Sequence, residues 1–240
     1  DTSNIQIFLL SLHDSVLIQL TNEPFDNAQI SWAPTGDTIV FVSARHESRD
    51  RDTVSDIWLL RLEDRSTHQL TNGFGDCCSP IFSPNGREIA FVSTGYTSDT
   101  AGRNNHIWIL NLDGGLPRCA SSDLDRSIQA GPASPGSVPA PIFWTSDGAA
   151  ILARLHDRAD THLYRFEANS RSANPIIAGS RSVQSFTVST EGTIGCLITD
   201  QFHPPEVHRA TLHNSNLTKM SNFNDGLIEE IEFPEIEDIR

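Results

Sequence analysis

A dense cluster of charge stands out in the segment RHESRDRDTVSD, Arg45 to Asp56, where Arg45, Arg49 and Arg51 sit beside Glu47, Asp50 and Asp52. A guanidinium binds a carboxylate through paired N–H donors, so this segment could hold the acidic group of a ligand or a partner domain. It reads equally as a solvated loop whose charges pair with one another, because surface ion pairs are common and weak. A second acidic pair, Asp123 and Asp125, lies in CASSDLDRSIQAGPASPGSVP, from Cys119 to Pro139, a stretch rich in Ser, Pro and Gly. A loop of that length inside a compact domain is either functional or mobile.

Other chemistries lack their residues. A serine nucleophile of the α/β type needs Gly-x-Ser-x-Gly on a strained strand-to-helix turn, and the nearest string, GPASPG at Gly131 to Gly136, is one residue too long with no strand before it. His46–Glu47 is the only His-Glu pair, and no second His follows at helical spacing, so a zinc-protease helix is not expected. The nine His residues are scattered and read as structural. Neither a phosphate-cradling Gly loop nor a dinucleotide fingerprint occurs, so no catalytic residue, metal site or cofactor is expected within the chain. Cys77 and Cys78 are adjacent while Cys119 and Cys196 stand alone, a pattern without CxxC spacing that reads as small buried hydrophobes. Asn216-Leu217-Thr218 matches a glycosylation sequon, but such triplets arise by chance.

The formal charge of −14 argues against nucleic acid, since phosphate binding needs clustered Lys and Arg. No apolar run approaches the ~18 residues of a membrane helix. The acids crowd the last residues, with Glu229, Glu230, Glu232, Glu235, Glu237 and Asp238 reading as an exposed acidic strand or linker over 227–240. The chain opens on Asp1 without a leader pattern, which is consistent with a processed or excised polypeptide. The cytoplasm is the expected compartment.

The elements that must position the charged loops come from a repeat. AQISWAPTGDTIVFVS followed by DIWLLRL recurs as CSPIFSPNGREIAFVS followed by HIWILNL. Trp32 matches Phe82, Pro34 matches Pro84, Gly36 matches Gly86, Phe41 matches Phe91 and Trp58 matches Trp108, all at one offset. Weaker copies flank these two. IQIFLLSLHDSVLIQLT repeats the second half of the unit, PIFWTSDGAAILARL restarts it at Pro141, and SFTVSTEGTIGCLI restarts it at Ser185 and closes on Leu217–Thr218.

Each unit resolves into four strands. A short first strand ends in a Gly-bearing turn, a continuous apolar second strand follows (Ile39 to Val42, Ile89 to Val92), then a third (Ile57 to Leu60, Ile107 to Leu110) and a short fourth. A strand with one solvated face alternates polar and apolar residues, whereas one covered on both faces need not. Units of ~45 residues with four strands therefore predict an all-β fold, a β-propeller of four-stranded blades. Blade parts are expected near 1–22, 23–72, 73–138, 139–182 and 183–226, about four recognisable blades after a partial one. The 44–55 segment joins the second and third strands, and so emerges on the same face as the loops entering each first strand.

SPNGREIAFVS followed by HIWILNLDGG resembles the Ser-Pro-Asp-Gly propeller repeat shared by TolB-like proteins and the prolyl oligopeptidase superfamily. From Val183 onward the chain is similar to the last blade and exit of acylaminoacyl-peptidase-like and dipeptidyl-peptidase-like members. There a Pro-Glu pair precedes the penultimate strand, as at Pro205–Glu206, and a Leu-Thr and then Phe-Asn follow, as at Leu217, Thr218, Phe223 and Asn224. The resemblance implies a C-terminal α/β-hydrolase domain as partner. The family's catalytic Ser, Asp and His have no positions in this chain to which they can be carried. It further implies that the propeller gates and positions short peptides, with Arg45, Arg49, Arg51, Asp123 and Asp125 as candidate contributors. The alternative is a stand-alone TolB-like propeller that binds protein. Association into homo-oligomers is left open.

Overall fold

The computed structural model describes residues 4–98, 102–128, 141–212 and 214–231. Hydrogen bonding organises these residues into five antiparallel sheets, one two-stranded and four four-stranded. The first pairs β1 (Phe8–Leu10) with β2 (Leu17–Gln19). The second blade holds β3 (Asn27–Trp32), β4 (Thr38–Ser43), β5 (Asp56–Arg61) and β6 (Thr67–Gln69), and the third holds β7 (Cys78–Phe82), β8 (Glu88–Ser93), β9 (His106–Asn111) and β10 (Arg118–Cys119). The fourth holds β11 (Phe143–Trp144), β12 (Ala150–Asp157), β13 (Asp160–Glu167) and β14 (Ala173–Ile177). The fifth holds β15 (Ser182–Val188), β16 (Thr193–Thr199), β17 (Glu206–Thr211) and β18 (Asn214–Lys219). Every blade is a meander in chain order, and the all-β propeller fold expected from the repeat is the observed one.

The turns are built alike. Between first and second strands the chain reverses at Gly36, Gly86, Gly148 and Gly192, with φ between 68° and 79°, a left-handed conformation that costs glycine nothing. The first strands of the second and third blades each carry a bulge, at Gln29 (φ 54°) and Ser79 (φ 52°). The two bulges meet, because the Ser79 amide donates to Gln29 Oε1 at 2.6 Å.

The core lies between blades. Val40 and Val42 of β4 pack with Ile89 and Phe91 of β8, while Ala90 and Val92 on the other face of β8 pack with Ile151, Ala153 and Leu155 of β12. Leu152 and Leu163 then pack with Ile194, Cys196 and Ile198 of β16. A strand in such a layer is covered twice, so Ile89, Ala90, Phe91 and Val92 are all fully buried. Burial also makes the thiols poor nucleophiles. Cys77 is pushed well above the ordinary range, Cys78 up to about 12 and Cys196 up to about 11.

Two expectations change. The fifth blade closes on Met220–Ser221, not Leu217–Thr218. Met220 N donates to Val207 O at 2.8 Å, matching Leu20 to Ile7, Leu70 to Ile57 and Ala120 to Ile107. A register shift between Arg209 and Thr211 moves the equivalence along the chain. The acidic exit segment, expected as an exposed strand or linker over 227–240, carries at its start part of a helical turn, α1 (Asp225–Glu229), and residues 232–240 lie outside the described residues. The 129–140 part of the Ser/Pro/Gly-rich stretch also lies outside them.

Candidate functional site

Strict meandering gathers the connections between second and third strands, and the crossovers from each fourth strand to the next blade, at one end of the blades. All five sequence-predicted residues lie at that end: Arg45, Arg49 and Arg51 in the 44–55 connection, Asp123 and Asp125 in the crossover after β10. The structure does not join the two groups. Among the described residues no hydrogen bond or ion pair links these arginines to Asp123 or Asp125.

Arg45 is held rather than offered. Its guanidinium donates to Asn27 Oδ1 at 2.9 Å and Ser43 Oγ at 3.2 Å, pairs with Glu23 Oε1 at 3.5 Å, and lies over Trp58 at 4.2 Å. Stacking on a tryptophan face while desolvated fixes the base of the loop. Arg49 lies over Phe25 at 5.2 Å and reaches the His46 carbonyl. Within the loop Asp52 accepts from Ser48 Oγ at 2.8 Å, His46 Nε2 at 2.9 Å and the Val54 amide at 3.0 Å. The Ser48 hydroxyl, ahead of His46 and the amide, holds the Asp52 carboxyl below its usual range. Arg51 stays exposed at the tip.

Asp125 accepts from Asn104 Nδ2 at 2.9 Å, and exposed Asp123 lies 3.7 Å from Arg171. Between and beyond them the crossover runs against the fourth blade. His156 N donates to Ser127 O at 2.9 Å, and Arg126 Nε donates to Asp157 Oδ1 at 2.9 Å. That bond, the first of its causes, holds the Asp157 carboxyl below the usual range.

Asp157 rims a cleft of about 1070 Å³ between the fourth and fifth blades, which sequence reasoning missed. Its origin is a broken local rule. Elsewhere a hydroxyl that follows the fourth strand accepts from the second residue of the third-strand motif: Ile7 N to Thr21, Ile57 N to Thr71, Ile107 N to Ser121 and Val207 N to Ser221, at 2.9 to 3.0 Å. The residue before that amide joins in, as when Thr71 Oγ1 donates to Asp56 Oδ1 at 2.8 Å and Ser221 to Glu206. In the fourth blade the register puts His162 at the Asp56 position, and Ala178, following Ile177, has no hydroxyl to offer. The carboxylate–hydroxyl–amide chain shifts to Asp160, Ser182 and the Thr161 amide, with Ser182 Oγ donating to Asp160 Oδ1 at 3.0 Å and accepting from Thr161 N at 3.1 Å. His162 is left facing the space vacated. The Ile-Ala pair at 177–178, where the other units end in a Thr or Ser (Thr21, Thr71, Ser121, Ser221), is the sequence signal that could have located it.

No protein-family model and no curated protein matches the chain. Solved structures do match. TolB from Acinetobacter baumannii superposes with a TM-score of 0.61 at 15% identity, over 89% of this chain and 48% of its own. The acylaminoacyl peptidase of Pyrococcus horikoshii gives 0.65 at 13%, over 94% and 32%, and the oligogalacturonate lyase of Vibrio parahaemolyticus gives 0.65 at 11%, over 90% and 60%. The chain thus spans between about a third and three fifths of the proteins it resembles. At such identities the likeness establishes the fold, a β-propeller whose blades also occur in proteins of unrelated activity.

Proposed function

We propose that this chain is the non-catalytic propeller region of a serine peptidase similar to acylaminoacyl peptidase, where it gates and positions short peptides. The observation carrying this reading is the gathering of the charged loops at one end of the blades, the end to which β18 leads and at which Asn224, ahead of α1, donates through its amide to Glu206 Oε1 at 2.8 Å. An α/β-hydrolase domain attached through the segment after α1 would face these loops. Fixed Arg45 and Arg49 would hold the 44–55 loop, leaving exposed Arg51 to meet a peptide carboxylate. The likeness to the Pyrococcus peptidase over nearly the whole chain supports this placement.

The likeness to TolB supports a second reading, a protein-binding propeller without an enzyme attached. The reading frame beyond the codon for Arg240 separates the two. A Gly-x-Ser-x-Gly on a predicted strand-to-helix turn there supports the peptidase, and an immediate stop codon supports the binding module. In a peptidase so identified, Arg51→Ala should raise KM for acyl-peptides with a free terminal carboxylate by about tenfold, with kcat held. An unchanged KM would remove Arg51 from the gate.

A further inference from the structure

His162 is buried, its side chain only 9% exposed, yet half of its imidazole is unsatisfied. Nε2 lies 2.9 Å from the Gly179 carbonyl, which can only accept, so Nε2 carries the proton in the neutral ring. Nδ1 then bears a lone pair and has no hydrogen-bond partner. Its nearest ionic neighbour is Asp157 Oδ2 at 3.6 Å, another acceptor, while Arg126 engages the other oxygen of that carboxylate. Two acceptors facing each other at that distance call for a hydrogen-bond donor between or beside them.

The cleft that His162 and Asp157 help to line supplies room and charge for such a donor. Its wall includes Asp157, Asp160 and Asp200 against one cation, Arg158, in the two-residue turn between β12 and β13. At about 1070 Å³ the cleft is large enough for a small molecule, for which sites of ~300–1,000 Å³ are usual. Among the described residues no group of three or more His, Cys, Asp or Glu is placed to hold a metal ion.

We propose that the cleft between the fourth and fifth blades binds a ligand through its protonated primary amine, with His162 Nδ1 and the Asp157 carboxylate as acceptors and Asp160 as a further negative charge of the wall. An ammonium brings three donors and a positive charge, which satisfies the orphaned nitrogen and the acidic wall together. This assignment stands apart from the peptidase reading, since a binding module would carry the same cleft.

The test is NMR titration of the full chain with glycylglycinamide at fixed ionic strength. N-acetylglycylglycinamide serves as the uncharged control and ethylamine as the free-amine arm. Glycylglycinamide should shift the His162 ring signals and the Gly179 amide saturably, and the acetylated peptide should not. An equal response to ethylamine identifies any small amine as sufficient, and a response to the peptide alone identifies a peptide amino terminus. His162→Gln and Asp160→Asn, checked for native-like spectra, should each weaken the Gly179 response by about tenfold or more. An equal shift from the acetylated peptide, no shift from either amine, or wild-type affinity in both folded variants would overturn the assignment and leave ordered water as the occupant.

Discussion

The third and fifth blades pair their second and third strands in the same register, but they bury them differently. Ile107 pairs with Val92 in the third blade as Val207 pairs with Leu197 in the fifth. Ile107 and Val92 are fully buried, whereas Val207 is 43% exposed and Leu197 half-buried. The third blade is sealed on both faces by neighbours. The fifth has the fourth blade on one face, and among the described residues no blade on the other, so β16 alternates buried and half-buried positions along its length. Burial in this architecture is therefore set by the neighbouring blade rather than by the strand itself. The side chains record it: Arg209 stands in the fifth blade where buried Ile109 stands in the third.

Paired truncations separate the two blades most directly. Ile107→Ala should lower unfolding free energy by about 2–5 kcal/mol, the usual range for a fully buried aliphatic side chain. Val207→Ala at the matching position should cost under about 0.5 kcal/mol. Equal losses in chemical denaturation would show that the outer face of the fifth blade is sealed in solution. Next in size is the polar closure of the second blade. Asp56→Ala removes the acceptor for Thr71 Oγ1, Gln69 Nε2 and the Gly73 amide at once, and should cost about 1–3 kcal/mol.

A smaller contrast separates the two kinds of arginine in the 44–55 loop. Arg45→Ala should cost about 1–2 kcal/mol through lost stacking on Trp58 and lost bonds to Asn27 and Ser43. Arg51→Ala should change the unfolding free energy by no more than about 0.5 kcal/mol, as a solvent-exposed side chain does. If the two variants melt alike, Arg45 is not the anchor of the loop. The smallest effect is a pH dependence in the fifth blade. The Ser221 hydroxyl, followed by the Asn224 amide, holds the Glu206 carboxyl below its ordinary 4.5. A depressed folded-state pKa stabilises the fold fully above that ordinary value, and the contribution is lost as pH falls through the folded-state value. Ser221→Ala should therefore flatten the acid limb of a stability-against-pH curve, and an unchanged limb would place the titration elsewhere.

Much of the fold was legible because a propeller writes its neighbours into its strands. The unbroken runs Ile39 to Val42 and Ile89 to Val92 announced double coverage, and the Gly of each first turn marked the unit. The fifth blade's closure was misplaced at Leu217–Thr218 because the fourth strand is matched by hydrogen-bond register, and a residue-type match cannot detect a register shift within a hairpin. The candidate loops were placed at one end by strand counting alone, but their chemistry was not legible. Nothing in RHESRDRDTVSD says that Arg45 lies on Trp58, a contact made across the sheet. The cleft at His162 needed the register too, since Ala178 matters only once it is seen to fall where Thr71 and Ser121 supply a hydroxyl.

The proposed function gives these blades loops that meet a ligand or partner and leaves the reacting groups to an attached domain. Incubating the purified 240-residue chain with acyl-peptide and aminoacyl chromogenic substrates tests it. The account predicts no turnover above the blank at any enzyme concentration. Turnover that scales with the chain, and persists when a contaminating serine hydrolase is removed by active-site labelling and affinity depletion, would contradict it.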